Sequence, residues 1–372
     1  MKKRILFLIN TLNGGGAEKV LVDTVNNINP DKFDVTLCTL SDRGIYQNSL
    51  KEHVNYKSID GIFKNKIIKK FFRLFIFRLL SDKYIYRLFI KDNYDVEIAF
   101  LEGKPTKILS YSNNSNKIAW VHLDMWNFYN EMELIYNSVD EHAACYKKYK
   151  FIYCVSKSAK EGFKKRFGFD DNVYIQYNPV DEKAIIDLST EKLSEMSIPS
   201  KLKLITVGRL TEQKGYKRLL KVVNKLKDDG YDFVLWILGE GEQRAELEQY
   251  INEKDLNEFV KLLGFQKNPY KFMSQVDAFV CSSYSEGFST VATEATILGI
   301  PTVTTDCSGM HELFGDSEYG IITENSEDGI YNGIKKIMET SEVLEYYKIK
   351  SAERGKDFCI RKRIDEIEAK LQ

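Results

Sequence analysis

Short apolar runs alternate along this chain with polar, glycine-bearing loops and with segments of helical period. Residues 4–9 form the first run, and a glycine turn at 13–16 follows it. Beyond the turn, apolar residues fall at helical spacing from Ala17 to Ile28. The pattern predicts a strand, a glycine turn and a helix, which is how a doubly wound α/β domain opens.

The alternation continues and then starts again in the second half of the chain. Further strands are predicted at 34–40, 95–101, 117–121, 151–155 and 173–177, and then at 203–207, 233–238, 260–263, 276–281 and 302–304. The sequence Ser158 to Glu161 has the form of a capping box at a helix start. Two strand–loop–helix series predict two similar lobes with a cleft between them, joined near residues 179–199.

Composition narrows the class of protein. The 372 residues suffice for two domains, and 54 basic residues balance 54 acidic ones, so no overall positive field argues for nucleic acid. The six cysteines are scattered without a Cys-x-x-Cys pair, which favours neither zinc nor a disulfide framework and fits a reducing cytoplasm. The apolar run after the N-terminal lysines ends at Asn10, so it predicts a strand and not a signal peptide.

Two carboxylates eight residues apart, Glu286 and Glu294, stand out in the second half. The apolar run 276–281 precedes them, and a helical segment follows and ends at Gly299. Glu286 is therefore expected on a strand-to-helix loop and Glu294 in the first turns of the helix. Free N–H groups at such a helix start suit a diphosphate, and carboxylates suit sugar hydroxyls. A glycosidase acid–base pair or plain surface acids remain alternatives, because local spacing does not fix the distance.

Three other features are candidates for ligand contacts. Arg209 and Lys214, on a loop after a predicted strand, could clamp a diphosphate, although they could equally be surface charges. His122 follows the strand 117–121, which favours a substrate contact over a structural histidine. The glycines at 14–16 could let a substrate approach the backbone, or could form a plain turn.

Two motifs are missing from the sequence. The dinucleotide fingerprint is not met, because Lys19 stands where its third glycine would fall. No Asp-x-Asp pair occurs to hold a metal-bound nucleotide-sugar.

The segment 64–91 combines basic and apolar residues at helical spacing. Lys66, Lys69, Lys70 and Arg73 lie mostly away from the apolar residues, and Arg73 and Arg78 interrupt any run that could span a membrane. The pattern predicts an in-plane amphipathic helix for an anionic membrane surface. A domain helix with a solvated basic face is the alternative.

Several motifs in order resemble a known family. They are Gly14-Gly-Gly-Ala-Glu18, Ala-Trp-Val-His122, Tyr177-Asn-Pro-Val-Asp181, Val207-Gly-Arg-Leu210 with Gln213-Lys-Gly215, Gly239-Glu-Gly241, and Glu286-Gly-Phe-Ser-Thr with Glu294-Ala and Gly299-Ile-Pro301. With these motifs the chain resembles the retaining glycosyltransferases of family 4, which have the GT-B fold and include many bacterial capsule, exopolysaccharide and lipopolysaccharide enzymes. Ser289 departs from the proline that the family often has at that position.

The resemblance implies a domain plan. Residues 1–180 would form an acceptor-binding Rossmann-like domain, 181–200 a linker and 201–351 the nucleotide-sugar donor domain. A C-terminal helix at 352–372 would return to the first domain. Closure of the two lobes would exclude water from the reaction.

The resemblance also implies roles for individual residues. Arg209 and Lys214 would hold the donor diphosphate and stabilise the leaving group, which is the work of a metal in other glycosyltransferases. Glu286 would contact the donor sugar and Glu294 the ribose. His122 would act near the reacting centre. Backbone N–H groups at Phe288, Ser289 and Thr290 would meet the phosphates. Gly15 and Gly16 would let the acceptor-side loop approach the donor, and Gly239 would also lie at the donor site.

The expected function is therefore metal-independent, retaining transfer of a sugar from a nucleotide-sugar, expected to be UDP-linked, to a lipid-linked or growing glycan. The enzyme would need no cofactor, bind no nucleic acid, and lie in the cytoplasm against the inner face of the plasma membrane. A nucleotide-sugar 2-epimerase of similar fold and a non-catalytic sugar-nucleotide-binding protein are the alternatives.

Overall fold

The chain folds into two compact units, each built on one parallel sheet. The structure is a computed structural model that describes residues 1–61, 63, 65–127, 129–193 and 200–372. The first unit comprises Met1–Pro179 and Arg361–Gln372, and the second comprises Val180–Ile360. Within the described residues, no helix is both long and apolar enough to cross a membrane.

The first unit has a seven-stranded sheet in the order β3-β2-β1-β4-β5-β6-β7, and every recorded pairing is parallel. Its strands are β1 (Lys3–Ile9), β2 (Phe33–Thr39), β3 (Val54–Ser58), β4 (Val96–Ala99), β5 (Lys117–Val121), β6 (Phe151–Cys154) and β7 (Val173–Ile175). Its helices are α1 (Gly16–Asn27), α2 (Lys66–Leu79), α3 (Asp82–Ile85), α4 (Lys104–Leu109), α5 (Val139–Tyr146), α6 (Lys157–Phe167) and the C-terminal α15 (Ile360–Leu371), with a π-helical turn at Tyr86–Ile90.

The second unit has a six-stranded parallel sheet in the order β10-β9-β8-β11-β12-β13. Its strands are β8 (Leu202–Val207), β9 (Phe233–Leu238), β10 (Val260–Gly264), β11 (Ala278–Cys281), β12 (Thr302–Thr305) and β13 (Ile321–Thr323). Its helices are α7 (Glu182–Ser189), α8 (Tyr216–Asp228), α9 (Arg244–Glu253), α10 (Tyr270–Met273), α11 (Thr290–Ile297), α12 (Met310–Phe314), α13 (Glu327–Glu339) and α14 (Ser341–Gly355).

Strand β9 shows why an unbroken apolar run forms a central parallel strand. All six of its residues are buried, and alternate side chains enter different cores. Phe233 and Leu235 belong to one core cluster, whereas Val234 and Trp236 belong to the other. Because side chains alternate across a strand, a sheet covered on both faces needs apolar residues at every position. The predicted α/β class with two doubly wound parallel sheets is confirmed.

Three details differ from the sequence-based expectations. The predicted linker 181–200 begins with α7, whose Ile185 is fully buried in the second unit, and residues 194–199 lie outside the described part of the chain. The second unit continues through α14, so the chain passes to the first unit at residues 360–361 and not near 351. Helix α6 is capped by Ser156, whose Oγ accepts a hydrogen bond from the Ala159 N–H, and not by Ser158.

Candidate active site

Each sheet has one position at which the order of its strands changes direction. In the second unit, the predicted ligand-binding loops lie at this position. Strand β8 has β9 on one side and β11 on the other. The loop after β8 carries Arg209 and Lys214, and the loop after β11 carries Glu286. Ligands of doubly wound sheets bind outside the carboxyl ends of the strands at this kind of switch point.

Lys214 and Glu286 form an ion pair across these two loops. Lys214 Nζ lies 2.7 Å from Glu286 Oε1, and the two side chains are only 20% and 9% exposed. Ser283 Oγ donates to the same carboxylate oxygen over 2.5 Å. Burial is the largest single influence on the pKa of Lys214 and lowers it, but the charge of Glu286, the influence of Cys281 and the hydrogen bond to Glu286 together outweigh burial, so the pKa is raised. The positive charge of Arg209 acts in the opposite direction on that pKa.

The backbone around this pair is fixed by close contacts between the loops. Gly215 has a φ of 66°, and a Cβ at this position would overlap the carbonyl oxygen of Ser282. The same carbonyl accepts hydrogen bonds from Arg218 Nε (2.9 Å) and Nη2 (2.7 Å), and Ser282 Oγ donates to the Lys214 carbonyl. The Arg218 guanidinium also lies 3.7 Å from the ring centroid of Tyr284. These contacts leave little freedom in the position of Lys214 relative to Glu286.

Helix α11 begins directly after the Glu286 loop. Ser289 caps it, since its side chain accepts a hydrogen bond from the Ala292 N–H. The first N–H groups of a helix have no partner within it, so the turn at Phe288 to Thr290 is a favourable place for an anion. Glu294 lies further into the helix, is 5% exposed, and accepts a hydrogen bond from the Tyr270 hydroxyl over 2.8 Å.

The loops after β8 and β9 are bonded to each other. The Leu210 N–H donates to the Glu240 carbonyl over 2.9 Å. Gly239 has a φ of 143°, and a Cβ there would overlap the carbonyl oxygen of Gly208. Only glycine allows this approach, so the packing of the two loops accounts for the glycine at position 239, and its predicted donor contact stays a prediction. Arg209 projects from the same loop and is exposed.

The other predicted residues lie in the first unit. Gly15 is the N-cap of α1 and Gly16 its first residue, at the carboxyl end of β1. A Cβ at Gly15 would overlap the carboxylate of Glu18, which therefore covers the start of the helix. Because this carboxylate is the far end of a flexible side chain, it could move aside, so the contact does not by itself require glycine at position 15.

His122 follows β5 at the carboxyl edge of the same sheet. The backbone N–H of His122 donates to Glu102 Oε2 over 3.0 Å, and the centroid of its ring lies 5.0 Å from that of the Phe100 ring. Burial lowers its pKa to about 3, although a hydrogen bond with the backbone of Phe100 acts in the opposite direction. Ring atom Nε2 is buried and has no hydrogen-bond partner among the residues that the structure describes. The lowered pKa favours the neutral imidazole at neutral pH.

The structure thus joins Lys214 to Glu286 directly, and places the Phe288–Thr290 turn and Glu294 on the adjoining segment. Sequence reasoning missed three residues that hold these groups, Tyr270, Ser283 and Arg218. Of these three residues, only Ser283 could have been identified from the sequence, because it begins the stretch that contains both glutamates. The roles predicted for all these residues stay predictions.

Comparison with known proteins gives a consistent result. The family described as glycosyl transferases group 1 matches residues 191–354. Over 370 residues the chain is 30% identical to the N-acetylgalactosamine-N,N'-diacetylbacillosaminyl-diphospho-undecaprenol 4-alpha-N-acetylgalactosaminyltransferase of Campylobacter jejuni, with 96% of each chain covered. It is 28% identical over 158 residues to the lipopolysaccharide core biosynthesis glycosyltransferase LpsE of Rhizobium meliloti, covering 42% of this chain and 44% of that protein.

Solved structures share the whole fold at low sequence identity. The crystal structure of Anabaena HepE in complex with UDP and glucose matches with a TM-score of 0.78 at 17% identity, covering 99% of this chain and 98% of that one. The structure of WaaG, a glycosyltransferase involved in lipopolysaccharide biosynthesis, matches with a TM-score of 0.71 at 12% identity over 98% of both chains. The two-domain fold predicted from the sequence is therefore confirmed.

Proposed function

Because this chain belongs to the glycosyl transferases of group 1, we propose that it moves a sugar from a UDP-linked donor to a lipid-linked or growing glycan during synthesis of a bacterial surface polysaccharide. The observation that carries the proposal is the Lys214–Glu286 ion pair beside the start of α11. The name of the Campylobacter jejuni relative includes a diphospho-undecaprenol-linked sugar, and the HepE structure contains UDP and glucose. Both support this choice of substrates.

The donor diphosphate lies between Arg209, Lys214 and the N–H groups at Phe288–Thr290 in this proposal. Two cations and a helix start supply the positive charge that a developing diphosphate leaving group needs, so the reaction requires no metal. Lys214 also keeps its contact with Glu286, which fixes the carboxylate for the hydroxyls of the donor sugar. Glu294 accepts hydrogen bonds from the ribose.

The acceptor hydroxyl attacks from the face of the leaving group, so that the configuration of the sugar is retained without a covalent enzyme intermediate. His122 contributes a neutral hydrogen bond near the reacting carbon, in keeping with its lowered pKa. Gly15 and Gly16 allow the substrate to approach the backbone at the end of β1. The reaction then needs a donor that carries its own good leaving group and an acceptor that carries the nucleophile.

The first experiment is a thermal-shift panel of UDP-, GDP-, ADP- and dTDP-sugars without metal. A ligand that binds only the native state stabilises it by about 2.7 kcal/mol at a hundredfold excess over its dissociation constant. We expect a UDP-sugar to raise the melting temperature, magnesium to leave the shift unchanged, and Lys214→Ala to abolish it.

Lys221→Ala is the matched control for this experiment. Lys221 lies on α8 and also forms an ion pair, with Glu327 at 2.8 Å, but it is 56% exposed. Its loss should not affect nucleotide binding. If no nucleotide-sugar produces a shift, the proposed donor is wrong.

We also propose that α2 and the turns after it lie on the inner face of the plasma membrane. Four apolar residues of α2 are at least 48% exposed, and they are Ile67, Ile68, Phe71 and Leu79. At 3.6 residues per turn they share a stripe of roughly 120°. The other side of the helix packs inward through Ile76, which is 1% exposed. An exposed apolar stripe on a packed helix supports in-plane attachment.

The basic residues of this segment divide into two groups. Arg78, Lys83, Arg87 and Lys91 are exposed and available to anionic lipids. Lys69 is only partly exposed and forms an ion pair with Asp42, so it does not contribute as the sequence predicted. Lys64 and the side chains of Lys66, Lys70, Arg73 and Phe75 lie outside the described part of the structure.

Liposome sedimentation tests this surface. Each basic residue near an anionic membrane contributes about 1 kcal/mol, so glutamine at the four exposed positions should weaken binding to phosphatidylglycerol vesicles by on the order of a thousandfold. The matched control replaces four exposed lysines of the second unit, Lys183, Lys254, Lys261 and Lys356. Equal sedimentation of the two variants would contradict the assignment of this surface.

A further inference from the structure

Tyr270 lies directly against the carboxylate that the proposed function assigns to the ribose. We propose that Tyr270 is a positioning residue, which sets the orientation of Glu294 and thereby the preference for a nucleotide with both ribose hydroxyls. This inference rests on the proposed function, because it takes Glu294 as the ribose contact. Tyr270 lies 24 residues before Glu294, on the short helix α10.

The contact between the two side chains is buried and direct. The Tyr270 hydroxyl donates to Glu294 Oε1 over 2.8 Å, and the residues are 4% and 5% exposed. A carboxylate rotates easily about its last side-chain bond, because that torsion has only broad minima. A hydrogen bond from a rigid ring selects one orientation of the carboxylate plane.

Tyr270 is itself fixed by its neighbours. Its N–H donates to Asn268 Oδ1 over 3.0 Å, and Asn268 Nδ2 donates to the carbonyl of Leu188 on α7 over 2.9 Å. Its ring belongs to the same buried cluster as Ile185 of α7. The backbone hydrogen bond to Asn268 and the packing of the ring therefore fix the position of Tyr270. A fixed phenol can in turn fix the orientation of the Glu294 carboxylate.

A phenol differs in charge from the lysine that contacts the other glutamate. Lys214 places a positive charge 2.7 Å from Glu286, whereas Tyr270 gives Glu294 a neutral donor. A carboxylate has about four lone-pair positions, and the bond from Tyr270 occupies one of them. The Tyr270 hydroxyl adds no positive charge to this contact, so it orients the Glu294 carboxylate without neutralising it.

The test uses Tyr270→Phe and three ligands, UDP, 2′-deoxy-UDP and 3′-deoxy-UDP, with dissociation constants from calorimetry. We expect the wild-type protein to bind UDP at least about tenfold more tightly than one deoxy analogue. In the variant, UDP should bind roughly three- to tenfold more weakly while that analogue is unaffected, so that the preference falls towards unity. Weakened binding of all three ligands by the same factor would indicate a merely structural role and overturn the proposal.

Tyr331→Phe is the matched control, because the Tyr331 hydroxyl also donates to a carboxylate, that of Asp229 just beyond the far end of α8, over 2.6 Å. It should leave the preference unchanged. Glu294→Gln provides a second measurement. It should also reduce the preference, and adding Tyr270→Phe to it should cause no further loss if the tyrosine acts through the glutamate.

The possible outcomes separate the two hypotheses. If the wild-type protein binds UDP and Tyr270→Phe keeps the full preference, only the role of Tyr270 is wrong. Tyr270→Phe can also be added to Glu294→Gln. If it then reduces the preference for UDP by as much as it does in the wild-type protein, the tyrosine does not act through Glu294, and the proposal is again overturned. If the wild-type protein binds none of the three ligands, both the UDP donor and this inference fail.

Discussion

The two units differ in the buried side chains that the sequence predicted as site residues at their strand ends. In the second unit the buried carboxylates have partners, Lys214 and Ser283 for Glu286 and Tyr270 for Glu294. In the first unit, His122 has a buried ring nitrogen with no partner among the described residues. The second unit therefore holds its buried carboxylates in fixed contacts, whereas the first contains a buried, uncharged imidazole whose Nε2 has no partner among the described residues.

This difference has energetic consequences. A buried polar atom without a hydrogen bond costs about 1–3 kcal/mol, which a ligand can recover by supplying the partner. A buried ion pair changes the free energy of unfolding little while both charges are present. Removing one partner lowers that free energy much more, because it leaves the other charge buried and unpaired. The free energy of unfolding should consequently fall strongly when one charge is removed from the second unit. In the first unit it should fall when acidification favours a charge on a buried histidine.

The largest expected effect concerns the Lys214–Glu286 pair. Lys214→Met should lower transferase activity by about 10²–10³-fold, the usual loss when one group that stabilises a developing charge is removed. Glu286→Gln should also lower activity, because it changes the carboxylate that is proposed to hold the hydroxyls of the donor sugar. Lys214→Met should also lower the free energy of unfolding by roughly 2–3 kcal/mol, because it leaves Glu286 buried without its cation. Activity assays and urea unfolding of the same preparations measure both quantities.

The double variant separates stability from catalysis. Lys214→Met with Glu286→Gln should regain much of the lost stability but none of the activity, since the neutral pair no longer contains an isolated charge. Lys221→Met breaks the exposed pair with Glu327 and should change stability by no more than about 0.5 kcal/mol. A double variant that is less stable than either single variant would show that the pair is not coupled as described.

Periodicity and glycine positions were enough to predict most of the fold. Strands such as β9, with apolar residues at every position, could be located within a residue or two because burial on both faces leaves a continuous run. The helix after Glu286 was predicted because a segment of good helix formers follows it and ends at Gly299, with Pro301 just beyond. These signals are local, and they also place Glu286 and Glu294 on the correct elements.

Features that depend on tertiary contacts could not be predicted. The edge strands β3 and β13 were missed, because an edge strand is short and partly exposed and carries a weak pattern. Tyr270 gave no signal either, since its hydroxyl meets Glu294 only after α10 packs against the second unit's core. Its placement depends on Asn268 and α7, which are distant in sequence from the glutamate.

A smaller effect is expected in the first unit at His142, which is fully buried and stacks 3.7 Å from the ring of Tyr136. Burial lowers its pKa to about 3; Lys107 acts in the same direction and Glu141 against it. Because the unfolded chain takes up a proton below about pH 6.5 and the native state does not, acidification removes stability by about 1.4 kcal/mol per pH unit. By about pH 5 this histidine alone should cost roughly 2 kcal/mol.

The variant His142→Phe keeps an aromatic ring in the stack and removes the titrating group. Its free energy of unfolding in urea should therefore fall less steeply between about pH 6.5 and pH 5, with a slope lower by about 1.4 kcal/mol per pH unit than that of the wild-type protein. Phe167→Leu, which alters a ring 4.9 Å from the same imidazole, should lower stability equally at every pH. If His142→Phe and Phe167→Leu give parallel pH profiles, protonation of this buried histidine does not govern the acid stability of the first unit.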